Sequence, residues 1–168
     1  MVPHVRRARP EEGGLLTELT VRSKAYWGYD DSFLESARQA LEFQASKFLP
    51  DFHVYILEAE GQPLGFCSLT FVDSDTVELH DLFIEPRHIG KGYGKGLWDY
   101  AVNLARSLGF SRLVLTAHPH AEPFYARQGA VRMGEKASPV RSDRWLPVME
   151  YVLSAQALTA FSHKGQTE

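Results

Sequence analysis

Four glycines occupy every second position just before a segment whose apolar residues follow a helical pattern. The stretch contains Gly90, Lys91, Gly92, Tyr93, Gly94, Lys95 and Gly96. Glycine permits backbone conformations that other residues avoid, and it lets a ligand approach the chain closely. The first turn of a helix attracts anions through its unpaired N–H groups and its dipole. The spacing therefore predicts a phosphate or pyrophosphate site here, with positive charge from Arg87 and His88 beside it.

Two common phosphate-binding signatures do not fit this stretch. The nucleoside-triphosphate loop requires Gly-Lys followed by Ser or Thr, whereas Lys95 is followed by Gly96. The dinucleotide signature Gly-x-Gly-x-x-Gly fails from every starting glycine. No acidic residue lies about 20 residues further on, where Arg112 and Leu113 stand. A glycine-rich connection without a ligand is the alternative, and the interleaved lysines argue against it.

The segment before the glycines carries polar groups that suit acid–base chemistry. In a predicted strand from 76 to 85, Glu78 and His80 should share one face, with Asp81 on the other. His80 needs little adjustment to act as a base, because the ordinary pKa of imidazole is near ~6.5. The alternative is a solvated glutamate beside a packed histidine.

Metal and thiol chemistry find less support. His118 and His120 extend to the same side of the chain, but no third ligand accompanies them, so we predict no metal site. Cys67 lies in an apolar run and is expected to be a buried strand thiol. A single cysteine excludes an internal disulfide and suits a reducing compartment.

The elements that position these groups follow from apolar periodicity and turn residues. The predicted order is βααβββαβαββ, and only its middle is βαβ, so we expect an α/β protein with a mixed sheet and helices on both faces. The boundaries are a helix from Pro10 to about Arg22, an aromatic loop at 22–31, a helix capped by Asp31 or Ser32 and running to about Phe48, a hairpin at 52–73, and a helix ending at Leu108.

Length and charge restrict the function further. The chain of 168 residues fits one domain, which we place at 1–154 with a polar tail at 155–168. A net charge of −3 without a long basic run argues against nucleic-acid binding. No apolar run reaches membrane-spanning length, and the N-terminus has no apolar signal core. We therefore expect a cytoplasmic protein that does not bind membranes.

The glycine stretch and a second segment together resemble the GCN5-related N-acetyltransferase (GNAT) superfamily. Its signature is [Gln/Arg]-x-x-Gly-x-[Gly/Ala] after a strand and a proline, and alignment on Pro86 gives Ile89, Gly92 and Gly94. Ile89 departs from the usual Gln or Arg. The second segment matches at Ala121, Phe124, Tyr125 and Gly129, whereas His118 and Ala130 replace an asparagine and an aromatic residue.

The resemblance implies a GNAT fold with a mostly antiparallel twisted sheet. It also implies an acetyl-CoA-dependent N-acetyltransferase that moves an acetyl group to a primary amine of a small molecule or an exposed peptide, in a ternary complex and without a metal. Tyr125 would protonate the leaving thiolate, and Glu78 or His80 would be the base. The implied coenzyme A site is Leu82, Phe83, Ile84, Ile89, Gly90, Lys91, Gly92, Tyr93, Gly94, Lys95, His118 and Tyr125.

The acceptor site is the least specific part of the resemblance. The loop between the first two helices would line it with Tyr26, Trp27, Tyr29 and Asp30, together with the region 141–145. These aromatic rings and carboxylates would suit a cationic amine. The alternative is that Tyr26 and Trp27 have only a packing role and fill the gap between the two helices. The alternative function is a catalytically inactive acyl-CoA-binding sensor or interaction module, and a homodimer is left open.

Overall fold

A seven-stranded sheet runs through the part of the chain that the computed structural model describes, residues 2–40, 52–139 and 141–153. The strand order is β1-β2-β3-β4-β5-β7-β6. The strands are β1 His4–Arg7, β2 Phe52–Ala59, β3 Gln62–Phe71, β4 Thr76–Ile84, β5 Arg112–Thr116, β6 Val131–Ala137 and β7 Trp145–Val152. The helices are α1 Gly13–Tyr26, α2 Asp31–Ala40, α3 Tyr93–Ser107 and α4 Glu122–Arg127.

This order confirms the predicted succession of strands and helices. The turn between β2 and β3 places Glu60 and Gly61 at positive φ, 53° and 74°, as a tight hairpin requires. Gly109, at φ 88°, follows the end of α3, where its N–H donates to the carbonyl of Arg106. The predicted end of α2 near Phe48 and the predicted tail lie outside the described residues.

Neighbouring strands are antiparallel except at the centre of the sheet. There β4 and β5 run parallel, and their pairing joins Thr76–Leu79 only to Arg112–Leu115. β4 continues to Ile84, beyond the last β5 partner that the described residues provide. The edge of β4 that faces β5 is therefore open at its carboxyl end, where parallel strands commonly place a ligand.

A β-bulge at His80 changes which residues of β4 face each side. Asp81 pairs with Ser68 and Leu79 pairs with Leu69, so His80 is the extra residue. The alternation restarts after the bulge, and Asp81 therefore faces the same side of the sheet as Glu78. The prediction that Asp81 faces the opposite side was wrong, because simple alternation does not allow for an inserted residue.

Helices cover both faces of the sheet, as predicted. On one face, α3 packs Leu97, Trp98 and Ala101 against the strand residues Val77 and Leu79. On the other face, α1 contributes Leu16 and Leu19 to a smaller cluster with Ile56 and Phe66. The open end of β4 thus lies between two packed layers, which hold the elements around it in place.

Helix α1 begins and ends later than the sequence predicts, since Pro10–Glu12 form a separate 3₁₀ turn before it. It continues to Tyr26, so that the segment 22–26 is helical and not part of a loop. The hydroxyls of Thr17 and Thr20 donate to carbonyls one turn earlier, at 3.0 and 2.8 Å, and this lets polar side chains occupy a buried face. Ser23 and Lys24 extend that face by another turn. Polar residue types therefore concealed the continuation of the helix.

Helix α2 also begins differently from the prediction, which gave the cap to Asp31 or Ser32. The Phe33 N–H donates to Asp30 Oδ1 at 2.7 Å, and the Leu34 N–H donates to the Asp30 carbonyl at 2.9 Å. Asp30 is therefore the N-cap of α2.

Candidate active site

The turn between β4 and α3 presents backbone amides to a ligand. Gly90 and Gly92 have φ values of 85° and 87°, a conformation that glycine adopts without steric cost. The first N–H of α3 with a backbone partner is that of Gly96, which donates to the Gly92 carbonyl at 3.2 Å. The amides of Tyr93 and Lys95 are among those that precede this bond and lack an intrahelical acceptor. The turn therefore has the donors and the dipole that an anion site needs.

A cavity of about 520 Å³ connects this turn to the open end of β4. Residues from four parts of the chain form its wall: Ser23, Lys24 and Trp27; Leu82, Phe83, Ile84, His88, Ile89, Gly90, Gly92, Gly94 and Lys95; His118, His120 and Ala121; Pro123, Phe124, Tyr125, Arg127 and Gln128. Apolar side chains of β4 and α4 lie between the glycine turn and a polar end that contains Lys24 and two histidines.

Tyr125 lies in the wall of this cavity with a nearly buried ring. The residue is 7% exposed, and its ring packs against Trp98 with centroids 5.7 Å apart. Burial raises the pKa of the Tyr125 hydroxyl well above its usual value, because the phenolate would lose its hydration. The group therefore stays protonated at neutral pH, and its hydroxyl is available as a hydrogen-bond donor to a thiolate.

A buried lysine defines the polar end of the cavity. Lys24 is 4% exposed, and its Nζ lies 3.1 Å from His118 Nε2. Burial, assisted by the charge of Arg144, lowers the pKa of Lys24 to about 8, although Asp81 opposes the shift. Burial and the nearby Lys24 charge lower the pKa of His118 to about 3, so this imidazole is neutral at pH 7. His118 Nδ1 is buried without a hydrogen-bond partner in the described part of the chain.

Aromatic rings surround these polar groups. Trp27 stacks on His120 with centroids 4.3 Å apart, and Tyr29 stacks on Phe33 at 4.5 Å. Arg144, which precedes β7, places its guanidinium 4.6 Å from the centre of the Tyr29 ring and donates to the Tyr29 hydroxyl. The segment before β7 therefore contacts the loop between α1 and α2 at this end of the cavity.

Comparison with known proteins identifies the family. A sequence model described as the acetyltransferase (GNAT) family matches residues 18–130. The chain belongs to the GNAT family, and it is therefore an acetyltransferase. The GNAT resemblance stated from the glycine stretch is confirmed.

Similar GNAT proteins include enzymes with named acceptors. The peptidyl-lysine N-acetyltransferase YjaB of Salmonella typhimurium is 34% identical over 131 residues, which cover 77% of this chain and 83% of YjaB. The Escherichia coli YjaB is 32% identical over 130 residues, which cover 77% of this chain and 82% of that protein. An amino-acid acetyltransferase of Neisseria meningitidis is 31% identical over 107 residues, 63% of this chain but only 23% of the relative.

Solved GNAT structures share the fold. A GCN5-related N-acetyltransferase from Rhodopseudomonas palustris has a TM-score of 0.75 at 23% identity, covering 91% of this chain and 97% of that protein. The PaiA N-acetyltransferase of Thermoplasma acidophilum, solved with coenzyme A, has a TM-score of 0.74 at 20% identity, covering 90% and 99%. The predicted GNAT fold is thereby confirmed.

The cavity of this GNAT protein brings together most of the residues that the resemblance implies for coenzyme A. Lys91 and Tyr93 belong to the same turn, although they do not line the cavity. The lining members of the predicted set are Leu82, Phe83, Ile84, Ile89, Gly90, Gly92, Gly94, Lys95, His118 and Tyr125.

The two candidate bases lie elsewhere on β4. Glu78 Oε1 is 3.1 Å from His80 Nδ1, so the side chains share a face, as predicted. Neither residue lines the cavity. The hydrogen bond with His80 lowers the pKa of Glu78, although partial burial opposes the shift.

The four residues predicted for the acceptor have separate positions. Trp27 lines the cavity, whereas Tyr29 contacts its wall through His118 and His120, with ring centroids 6.5 and 6.3 Å apart. Tyr26 is 55% exposed and meets Trp27 edge-on. The side chain of Asp30 caps α2.

Sequence reasoning missed the two cations at the polar end of the site. Lys24 lies eight residues after Leu16 and four after Thr20, a spacing that places it on the buried face of α1. That periodicity was a usable signal. Arg144 was only part of a broad predicted segment, and nothing in its local sequence distinguishes it from Arg141.

The described residues offer little for metal or membrane binding. No group of three His, Cys, Asp or Glu side chains in the described ranges is arranged to hold a metal ion. No described helix is long and apolar enough to cross a membrane. Cys67 is fully buried, and burial raises the pKa of its thiol to about 12, so the predicted buried thiol is confirmed.

Proposed function

We propose that this GNAT protein transfers the acetyl group of acetyl-CoA directly to a primary amine of a peptide or a small molecule. One observation carries the proposal. A single cavity connects the anion-attracting first turn of α3 to Tyr125 and then to a polar end at Lys24. Acetyl-CoA bound along this cavity would have its phosphates at the first end and its thioester near Tyr125, and the acceptor would lie at the polar end.

The donor end fits coenzyme A through its backbone. The left-handed glycines and the free amides of α3 suit a pyrophosphate, and the side chain at position 89 is an apolar isoleucine that cannot bind one. The open edge of β4 from Leu82 to Ile84 offers N–H and C=O groups to the amides of the pantetheine arm. The neighbouring lysines and Arg87 add positive charge at the mouth.

Transfer needs two proton movements that residues of this chain would support. The amine nitrogen bonds to the acetyl carbon, the carbon–sulfur bond breaks, and the thiolate takes a proton from Tyr125, which regains one from solvent. The surplus proton of the amine leaves through water to Glu78, which His80 holds in place. A water relay is required because neither Glu78 nor His80 lines the cavity.

The names of the similar proteins support a primary amine as acceptor. They act on peptidyl lysine in the two YjaB proteins and on an amino acid in the Neisseria protein. Both acceptor classes place a primary amine at the end of a flexible chain or beside a carboxylate. We therefore extend to this chain only the primary amine that the two classes share.

The proposal is tested by thiol release from acetyl-CoA with a panel of primary amines, followed by mass measurement of the product. A gain of one acetyl group on the amine supports it. If the protein binds coenzyme A but releases no thiol from acetyl-CoA with any of the amines, the proposal is contradicted and the sensor alternative is favoured. Cell fractionation would test the predicted cytoplasmic location, and light scattering would decide whether the protein forms the homodimer that the sequence leaves open.

A further inference from the structure

We propose that the acceptor carries a carboxylate near its primary amine, and that Arg144 and Lys24 bind this carboxylate at the polar end of the cavity. This inference rests on the proposed function and specifies its acceptor. The same binding chemistry is available from a free amine with its own carboxylate and from a peptide in which an acidic residue follows the lysine.

Two cations of the protein converge on one aromatic ring. Arg144 lies 4.6 Å and Lys24 Nζ lies 5.7 Å from the centre of the Tyr29 ring. Lys24 also lies 5.6 Å from the centre of the Phe83 ring and lines the cavity, whereas Arg144 approaches this end through Tyr29 and is not itself among the lining residues. The charge of Arg144 acts against the protonation of Lys24, so the two cations repel one another, and a bound anion beside them would relieve that repulsion.

The described residues supply no ion pair for either cation. Other half-buried arginines have carboxylate partners: Arg22 donates to Glu85 at 2.7 Å, and Arg6 donates to Glu12 at 2.6 Å. Within the described ranges, neither Lys24 nor Arg144 has a carboxylate within ion-pair distance. Asp81 is close enough to influence Lys24, but it accepts a hydrogen bond from Ser68 Oγ at 2.6 Å.

The remaining groups at this end are neutral. His118 and His120 stack with centroids 5.6 Å apart, and burial lowers the pKa of both imidazoles far below neutrality. Asp30, which the sequence assigned to a cationic acceptor, is engaged as the cap of α2. The cations over the Tyr29 ring belong to the protein itself, so a cationic acceptor group would meet repulsion where a carboxylate would meet attraction.

The positive charge also assists the reaction. A nearby cation disfavours the protonated form of an amine and lowers its pKa. A bound acceptor would therefore lose its proton more readily beside Lys24 and Arg144, which reduces the demand on the base. The guanidinium of Arg144 offers the paired donors that match a carboxylate.

The experiment compares acceptors that differ only in whether the group at the other end of a short chain from the amine is a carboxylate or an amide. The small-molecule arm uses 6-aminohexanoate and 6-aminohexanamide, and the peptide arm uses a lysine peptide with Glu or Gln after the lysine. We expect kcat/KM to favour the carboxylate member by at least about tenfold in one arm or both, a factor typical of a charged hydrogen-bonded contact. The arm with the larger ratio identifies the source of the carboxylate.

Variants of the protein assign this preference to the proposed residues. Arg144→Gln should reduce the ratio to near unity, and Lys24→Met, which keeps the packing, should reduce it as well. Arg132→Gln is the matched control. Arg132 lies on the neighbouring strand β6 and already pairs with Glu122 at 3.3 Å. This variant makes the same change in net charge and should leave the ratio unchanged.

A binding measurement separates this inference from the proposed function. Calorimetry with coenzyme A present should show that hexanoate binds the wild-type protein and that hexanamide binds at least about tenfold more weakly. If hexanoate binds in this way but no amine is acetylated, the proposed function fails and the carboxylate site stands. If kcat/KM for the amide acceptors equals or exceeds that for the carboxylate acceptors in both arms, the inference is overturned. Retention of the full ratio in both Arg144→Gln and Lys24→Met would overturn it too.

Discussion

At the proposed donor end of the cavity the groups that would bind the ligand are neighbouring backbone amides, whereas at the proposed acceptor end they would be side chains from separate segments. The glycine turn spans 90–95 and depends on local backbone conformation. The polar end joins Lys24 of α1, Tyr29 of the following loop, His118 after β5 and Arg144 before β7. A site made of backbone tolerates changes of side chain, while a site made of side chains is readily altered by single substitutions.

The largest expected effect tests the backbone nature of the donor end. Gly92→Val should weaken coenzyme A binding by about a hundredfold, because valine at a φ of 87° is strained and would distort the turn. Ile89→Ala should change the affinity by less than about threefold, because backbone amides bind the pyrophosphate. Isothermal calorimetry with coenzyme A measures both.

Gly109→Val is the control for strain alone. Gly109 has a φ of 88° and, like Gly92, has open space around the position of an added Cβ, but it lies at the opposite end of α3. Both variants should lose similar stability, and only Gly92→Val should lose coenzyme A. If Gly109→Val weakens binding equally, or if Ile89→Ala weakens it more than Gly92→Val, the donor end is not a backbone site of the kind described.

The next effect tests how burial controls charge at the acceptor end. The pKa of Lys24 is about 8 in the folded protein against 10.5 for an ordinary lysine, so the unfolded chain binds more protons between these values. Stability from this group therefore rises with pH across that window and is lost as pH falls towards 8. Relative to Lys24→Met, the wild-type unfolding free energy should rise by about 2 kcal/mol from pH 7.5 to 10.

Urea unfolding of both proteins at the two pH values measures this difference. The buried tyrosines and Cys67 also titrate in alkaline solution, but they are present in both proteins and cancel in the comparison. Lys95→Met is the control at the donor end, where the lysine is exposed and pairs with Asp99 at 2.7 Å. An equal pH dependence for both lysine variants would show that burial of Lys24 is not the cause.

A smaller effect is expected at Tyr125, which lies between the two ends. Tyr125→Phe removes only the hydroxyl and should lower kcat by about tenfold with little change in acetyl-CoA affinity. The effect falls below the usual range for acid catalysis because a thiolate, whose thiol has a pKa near ~8.5, leaves readily without help. Steady-state kinetics and a binding titration check both values. An unchanged kcat, with chemistry shown to limit the rate, would remove Tyr125 from the mechanism.

The smallest effect concerns the pair on β4 outside the cavity. Glu78→Gln should lower kcat/KM by about fivefold for an amine of high pKa and by less for one of low pKa, which needs less help to lose its proton. His80→Gln should have a smaller effect. The comparison uses two amines of similar size at a fixed pH. If Glu78→Gln is silent for every amine and His80→Gln abolishes turnover, the histidine is the base.

Local patterns predicted much of the fold and the conformation of the glycine turn correctly. The order of strands and helices, the hairpin at Glu60 and Gly61, and the glycine turn were all predictable, because each depends on a few adjacent residues. A glycine at positive φ or an amphipathic helix is determined largely by local sterics and by the periodicity of apolar side chains.

Local sequence did not determine which polar groups meet. The bulge at His80 depends on the register with β3, and it turned Asp81 to the side of Glu78. The contact between Lys24 and His118 joins residues 94 apart in the chain, and that between Arg144 and Tyr29 joins residues 115 apart. The sequence by itself determined the elements and the donor turn, since their causes are local. Only the tertiary structure assembled the acceptor end, because strand pairing and helix packing bring its separate segments together.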